Sequence, residues 1–180
     1  MQSETRENST SDAGLEITES EVMGWIENKI ELIHSEAKVL VDDYWRRLKK
    51  EQKNRPASEQ GRIGVRIRRR QESLSFSIEW FRMASIRQNG KTKPIARYVK
   101  KGRGYRYPLD RILQGEPEWE ASLVEELEEE FVDIRRQVDL LGRIRDAVRN
   151  YARAIQRTEV PERSSGSIRR QINALETGED

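Results

Sequence analysis

The 180-residue chain has one histidine, His34, and no cysteine, which leaves little material for catalysis. A paired-histidine metal site cannot be built from it. A Ser-His-Asp or Cys-His triad would rest on His34 alone, which lies in a helical pattern with no glycine-rich nucleophile turn nearby. The chain has neither a Walker-type phosphate loop nor a GxGxxG after a strand. Lys101-Gly-Arg-Gly104 could wrap a phosphate through its backbone amides, but two glycines in a basic loop are a weak signal. The carboxylates from Glu125 to Asp133 are of a type that holds Mg²⁺, although such a run at a helix start better suits a solvated face. The expectation is therefore a protein with no catalytic residue, no metal ligand and no cofactor.

Polyanion contact is easier to build. Between Gly61 and Arg111 the chain carries 15 Lys and Arg against three acids, Glu72, Glu79 and Asp110, while the flanks are net acidic. Segregated basic charge with interleaved aromatics is the footprint of a nucleic-acid surface. The candidate contacts are Arg62, Arg66, Arg68, Arg70, Lys91, Lys93, Arg97, Lys100, Lys101, Arg103, Tyr105 and Arg106. Arginine suits both base and phosphate recognition, and strands can lie in a DNA groove. Tyr98, Tyr105 and Tyr107 could stack on unpaired bases or pack at a sheet edge. A solvated basic face with no polyanion partner is the plainer alternative.

The elements that must position these residues follow from periodicity. Val22, Ile26, Ile30, Ile33, Ala37, Leu40, Tyr44 and Leu48 recur at steps of 3 and 4, which predicts a helix over about 19–53, capped by Thr18 or Ser20 and ended by Pro56. The period then becomes 2. Ile63, Val65 and Ile67 oppose Arg62, Arg66 and Arg68, and Leu74, Phe76, Ile78 and Trp80 oppose Ser73, Ser75, Ser77 and Glu79. A third strand over 91–101 follows Asn89-Gly90, a strong hairpin signal, and Pro94 assigns it to a sheet edge. A short helical turn is expected around Leu109–Leu113.

The last long helix is expected over about 117–157. Val124, Leu127, Phe131, Ile134, Val138, Leu141, Val148, Ala152 and Ile155 make a coiled-coil-like seam, with Arg145 at the missing position. That seam fits either a dimer or antiparallel packing on the first helix. Residues 116–133 hold nine acids and no base, and 134–157 hold seven Arg and two Asp, a polarity that matches the helix dipole.

Tyr44-Trp45, Gly61-Arg-Ile-Gly-Val-Arg-Ile-Arg68, Leu74-Ser-Phe-Ser-Ile-Glu-Trp80, Gly90-Lys91 and Lys100-Lys-Gly-Arg-Gly-Tyr-Arg-Tyr-Pro108 together resemble the MobI-type auxiliary proteins of conjugative elements. The likeness spans roughly residues 20–150. It implies a mobilisation factor that helps the relaxase at the origin of transfer, with origin-of-transfer DNA as ligand and the relaxase or other transfer proteins as partners. It carries over no catalytic residue.

The combined expectation is an α+β fold, with a long N-terminal helix, a three-stranded antiparallel β-meander and a long C-terminal helix. Residues 1–18 form a disordered tail, 19–157 one α-βββ-α domain with its basic module at 61–111, and 158–180 a flexible tail. The expected function is non-enzymatic DNA binding within a relaxosome, in the cytoplasm. Glu125, Glu126, Glu129 and Glu130 are the candidate partner-binding face. The alternatives are an adaptor whose basic sheet meets an acidic partner, and a metal-dependent nuclease. No apolar run is long enough to span a membrane, and the N-terminus lacks a signal-peptide pattern.

Overall fold

A computed structural model describes residues 17–71 and 73–158. The order is α1 (Glu19–Lys53), a 3₁₀ turn (Ala57–Glu59), β1 (Ile63–Arg69), β2 (Phe76–Gln88), β3 (Lys91–Tyr98), α2 (Leu109–Ile112) and α3 (Glu118–Thr158). The expected tails lie almost wholly outside the described residues.

Thr18 caps α1. Its hydroxyl accepts from the Glu21 backbone N–H, and the Glu21 carboxylate accepts from the Thr18 N–H, which completes a capping box. The buried stripe is Ile26, Ile30, Ile33, Ala37, Val41, Tyr44 and Leu48. Val41 takes the place expected of Leu40, which is only half-buried. The helix stops at Lys53 with Asn54 as its cap, ahead of Pro56.

The three strands form one antiparallel sheet in the order β1-β2-β3. The second strand is longer than its alternation predicts: it starts at Phe76, leaving Leu74 in the preceding bend, and runs to Gln88. The third ends at Tyr98 rather than Lys101. Asn89 (φ 51°) and Gly90 (φ 74°) both adopt left-handed backbone, as a tight hairpin turn requires. Pro94 lies on β3, which pairs only with β2, so its missing N–H costs no ladder bond.

One face of the sheet packs on an antiparallel α1–α3 hairpin. Trp80, Tyr44 and Phe131 are fully buried at the centre, with Tyr44 and Trp80 edge-to-face at 5.3 Å. The Tyr44 hydroxyl donates to the Ile63 carbonyl at 2.9 Å, and burial pushes that hydroxyl's pKa up. Trp45 hooks over the β1 edge, where its Nε1 donates to the Val65 carbonyl at 3.0 Å. Gly64 is needed at that edge, because a Cβ there would come within 2.4 Å of the Phe81 ring.

Along α3, Val124, Leu127, Phe131, Ile134, Val138 and Leu141 are buried within the chain, where α3 packs on α1. The seam therefore closes an internal helical hairpin, the second of its two expected uses. His34 is half-buried, with its ring edge-on to Phe76 at 5.0 Å, an interfacial position.

Candidate nucleic-acid interface

The pairing register divides the basic module in two. β1 pairs with β2 from Arg69↔Phe76 to Ile63↔Arg82, and beyond Arg82 only β2 and β3 remain paired, out to Gln88↔Lys91. The end of the sheet next to β1 is a base seated on the helices. The rest is a two-stranded arm.

Arginines of the base are held by acids. Arg66 donates twice to Glu79 Oε2, at 2.8 and 3.0 Å, and its guanidinium lies 4.0 Å from the Tyr98 ring centroid. Arg68 lies 3.7 Å from the other Glu79 oxygen. Arg62 pairs with Glu116 at 3.2 Å, and Arg82 with the same carboxylate. Arg82 also donates to the Ile112 and Gln114 carbonyls, which fixes the point where the arm leaves the body. Arg69, absent from the expected contacts, pairs with Glu31 on α1.

The loop after β3 is split in the same way. Tyr105 donates to Asp139 at 2.6 Å, a bond that raises the phenol's pKa and lowers the carboxyl's. Arg106 grips Glu129 through both terminal nitrogens, and each partner's charged form is favoured. Lys101 donates to the Gly104 carbonyl, and partial burial lowers its pKa. Tyr107 is buried and donates to the Ile78 carbonyl at 3.4 Å. Of the three candidate stacking tyrosines only Tyr98 presents much surface, 48% of it exposed.

Among the described residues Arg70, Arg87, Lys91, Lys93, Arg97, Lys100 and Arg103 are exposed and form no ion pair within the chain. Four of these are on the arm and two in the adjoining loop. Alternation along β3 puts Lys91, Lys93 and Arg97 on one face, together with Ile95. Near the base this face meets the helices; past Arg82 it is open. Arg87 was not among the expected contacts, although its charge was visible in the sequence. What hid it was the lack of strand alternation beyond Trp80.

Glu120 and Glu128, both fully buried, hold the loops around the base, and neither stands out in the acidic run 116–133. Glu128 accepts from Trp80 Nε1 at 2.7 Å, from the Tyr107 N–H at 2.7 Å, and from Arg135 at 2.8 and 3.0 Å. Arg135 also donates to the Tyr105 carbonyl at 2.8 Å, while its Nε has no partner. Glu120 accepts from the Ile63 N–H at 2.7 Å and the Arg62 N–H at 3.1 Å, capping the start of β1. Burial pushes its pKa up to about 7, against the lowering effect of those two bonds.

Of the candidate partner-binding acids, Glu126 chelates Arg47 through two bonds of 2.7 Å and Glu129 holds Arg106. Glu125 and Glu130 are exposed and form no ion pair among the described residues. The described residues contain no group of three or more His, Cys, Asp and Glu arranged to hold a metal ion, and no helix among them is long and apolar enough to cross a membrane.

The chain matches the family described as MobI protein over residues 33–149, well over half its length. It belongs to the MobI family. The match takes in most of α1, the whole sheet, the loop and most of α3, so the base and the arm both lie within the family region. No curated protein and no solved structure matches the chain. Membership makes this MobI-family chain a protein of conjugative mobilisation, from a family of accessory factors.

Proposed function

We propose that this protein binds duplex DNA without catalysis, as an accessory factor at the origin of transfer, and that the β2–β3 arm and the 100–103 loop make the contact. The observation that carries the reading is the distribution of unpaired cations. Arg87, Lys91, Lys93, Arg97, Lys100 and Arg103 sit on two neighbouring projections without carboxylates to neutralise them. A two-stranded ribbon fits the major groove, where side chains reach base edges. Gln88, beside Lys91 at the tip, offers an amide of the type that pairs with adenine. The relaxase or another transfer protein is the natural second partner, and the exposed Glu125 and Glu130 on α3 are suited to meet it because they would repel DNA.

Affinity measured on origin-of-transfer and unrelated duplexes over a salt series tests this. If about six phosphates are neutralised, log K falls against log salt with a slope of roughly −5. Binding that does not change with salt contradicts the proposal. An adaptor role is favoured instead if the protein binds an acidic protein but no DNA.

A further inference from the structure

Six of the large apolar side chains left exposed lie on one surface, the side of the α1–α3 hairpin turned away from the sheet. On α1 these are Trp25, Leu32 and Val39, spaced by seven; on α3 they are Leu140, Ile144 and Tyr151. Leu32 and Val39 are 64% and 68% exposed, well beyond what their type favours. Exposed Ala147 completes the α3 stripe at steps of 4, 3 and 4. A heptad spacing of this kind is the signature of a helix face that meets another helix. The sheet cannot cover it, because the residues facing the sheet, Trp45 on α1 and Glu128 on α3, lie on the opposite flank.

The two stripes are level with each other. Counting away from the Arg47–Glu126 pair along two antiparallel helices of equal rise brings Leu32 beside Leu140 and Ile144, and Trp25 beside Ala147 and Tyr151. They form one apolar patch, of the kind that marks an interaction site. Charge says what covers it. Residues 19–39 of α1 carry five acids and two lysines, and residues 134–157 of α3 carry seven arginines and two aspartates. A second copy related by a two-fold axis parallel to the helices sets each acidic α1 half on the partner's basic α3 half, and makes every neighbouring pair in the bundle antiparallel. The alternative two-fold, perpendicular to the helices, would set like charge on like.

We propose that this face is a homodimer interface, a four-helix bundle in which Trp25 and Leu32 of one copy pack on Leu140, Ile144 and Tyr151 of the other, with Val39 extending the apolar face toward the loop end of the hairpin. The sheets then lie on the two outer surfaces, and both arms project from the same end. The interface is independent of the DNA reading.

Sedimentation of the full chain over a concentration series tests the proposal, and a dimer is expected. Leu32→Asp with Ile144→Asp should give a monomer whose circular dichroism below its melting transition is unchanged, since neither side chain is buried within one chain, and whose melting temperature no longer rises with concentration. The chain has no native cysteine, so introduced ones report geometry directly. Leu32→Cys mixed with Ile144→Cys should cross-link under mild oxidation, and Leu32→Cys alone should not. A chain that is monomeric at every concentration overturns the proposal and leaves the face to a helix of another protein. A dimer that survives the double substitution, or a Leu32→Cys homodimer cross-link, also overturns it.

Discussion

The two ends of the basic sheet carry the same kind of residue and use it differently. At the base, Arg62, Arg66, Arg68 and Arg82 share Glu79 and Glu116, and Arg69 reaches across to Glu31 on α1. On the arm, Arg87, Lys91, Lys93 and Arg97 meet no acid among the described residues. Arg62, Arg66 and Arg68 alternate cleanly on a strand face in the sequence, which makes them the obvious ligand contacts. Their partners show that this charge is engaged in holding strand to strand and sheet to helix. A run of basic residues locates a binding surface only after its internal counter-charges have been subtracted.

This contrast can be tested first on stability. Removing charge from the base should cost fold, and the largest effect is expected at Arg135→Ala. That change leaves the buried Glu128 carboxyl with only the Trp80 and Tyr107 N–H donors. Breaking a buried pair from one side costs about 3–5 kcal/mol, measurable by denaturant unfolding. A loss below about 1 kcal/mol would mean that the Glu128 network does not hold the base together.

A smaller effect sharpens the same point through pH. The Glu120 carboxyl has its folded-state pKa raised by burial from 4.5 to about 7. Between those values the folded chain keeps a proton that the unfolded chain has released, so this group's contribution to stability falls as pH rises through the window. Unfolding free energies of Glu120→Gln and the parent, measured across pH 4.5 to 7, should therefore differ in slope, with the parent losing more on the way up. Parallel profiles would show that Glu120 titrates as an ordinary carboxyl.

Much of the fold was legible in the sequence. Both long helices, the Thr18 cap, the Asn89-Gly90 turn and the position of Pro94 on an edge follow from local chemistry, and local chemistry is what a sequence displays. The seam of α3 was legible too, although which surface it met was not. The full length of β2 was hidden because residues 83–88 leave the body and bury neither face fully, so no alternation marks them. Glu120 and Glu128 were hidden because acids in a helix start read as solvated. Their burial is set by donors far away in sequence, Trp80 and Tyr107 for Glu128, and the Ile63 and Arg62 amides for Glu120. The pairing of the base arginines was hidden for the same reason, since Glu31 and Glu116 are many residues distant.

In the proposed function the arm, and not the base, holds DNA. Affinity for duplex DNA at two salt concentrations, compared between two triple variants, tests it most directly. Lys91→Ala with Lys93→Ala and Arg97→Ala should weaken binding on the order of a hundredfold at low salt and flatten the salt slope by about 3, with stability unchanged. Arg62→Ala with Arg66→Ala and Arg68→Ala should lose stability and keep most of the affinity and the slope. A base variant that loses DNA as severely as the arm variant, or an arm variant that binds like the parent, would contradict the account.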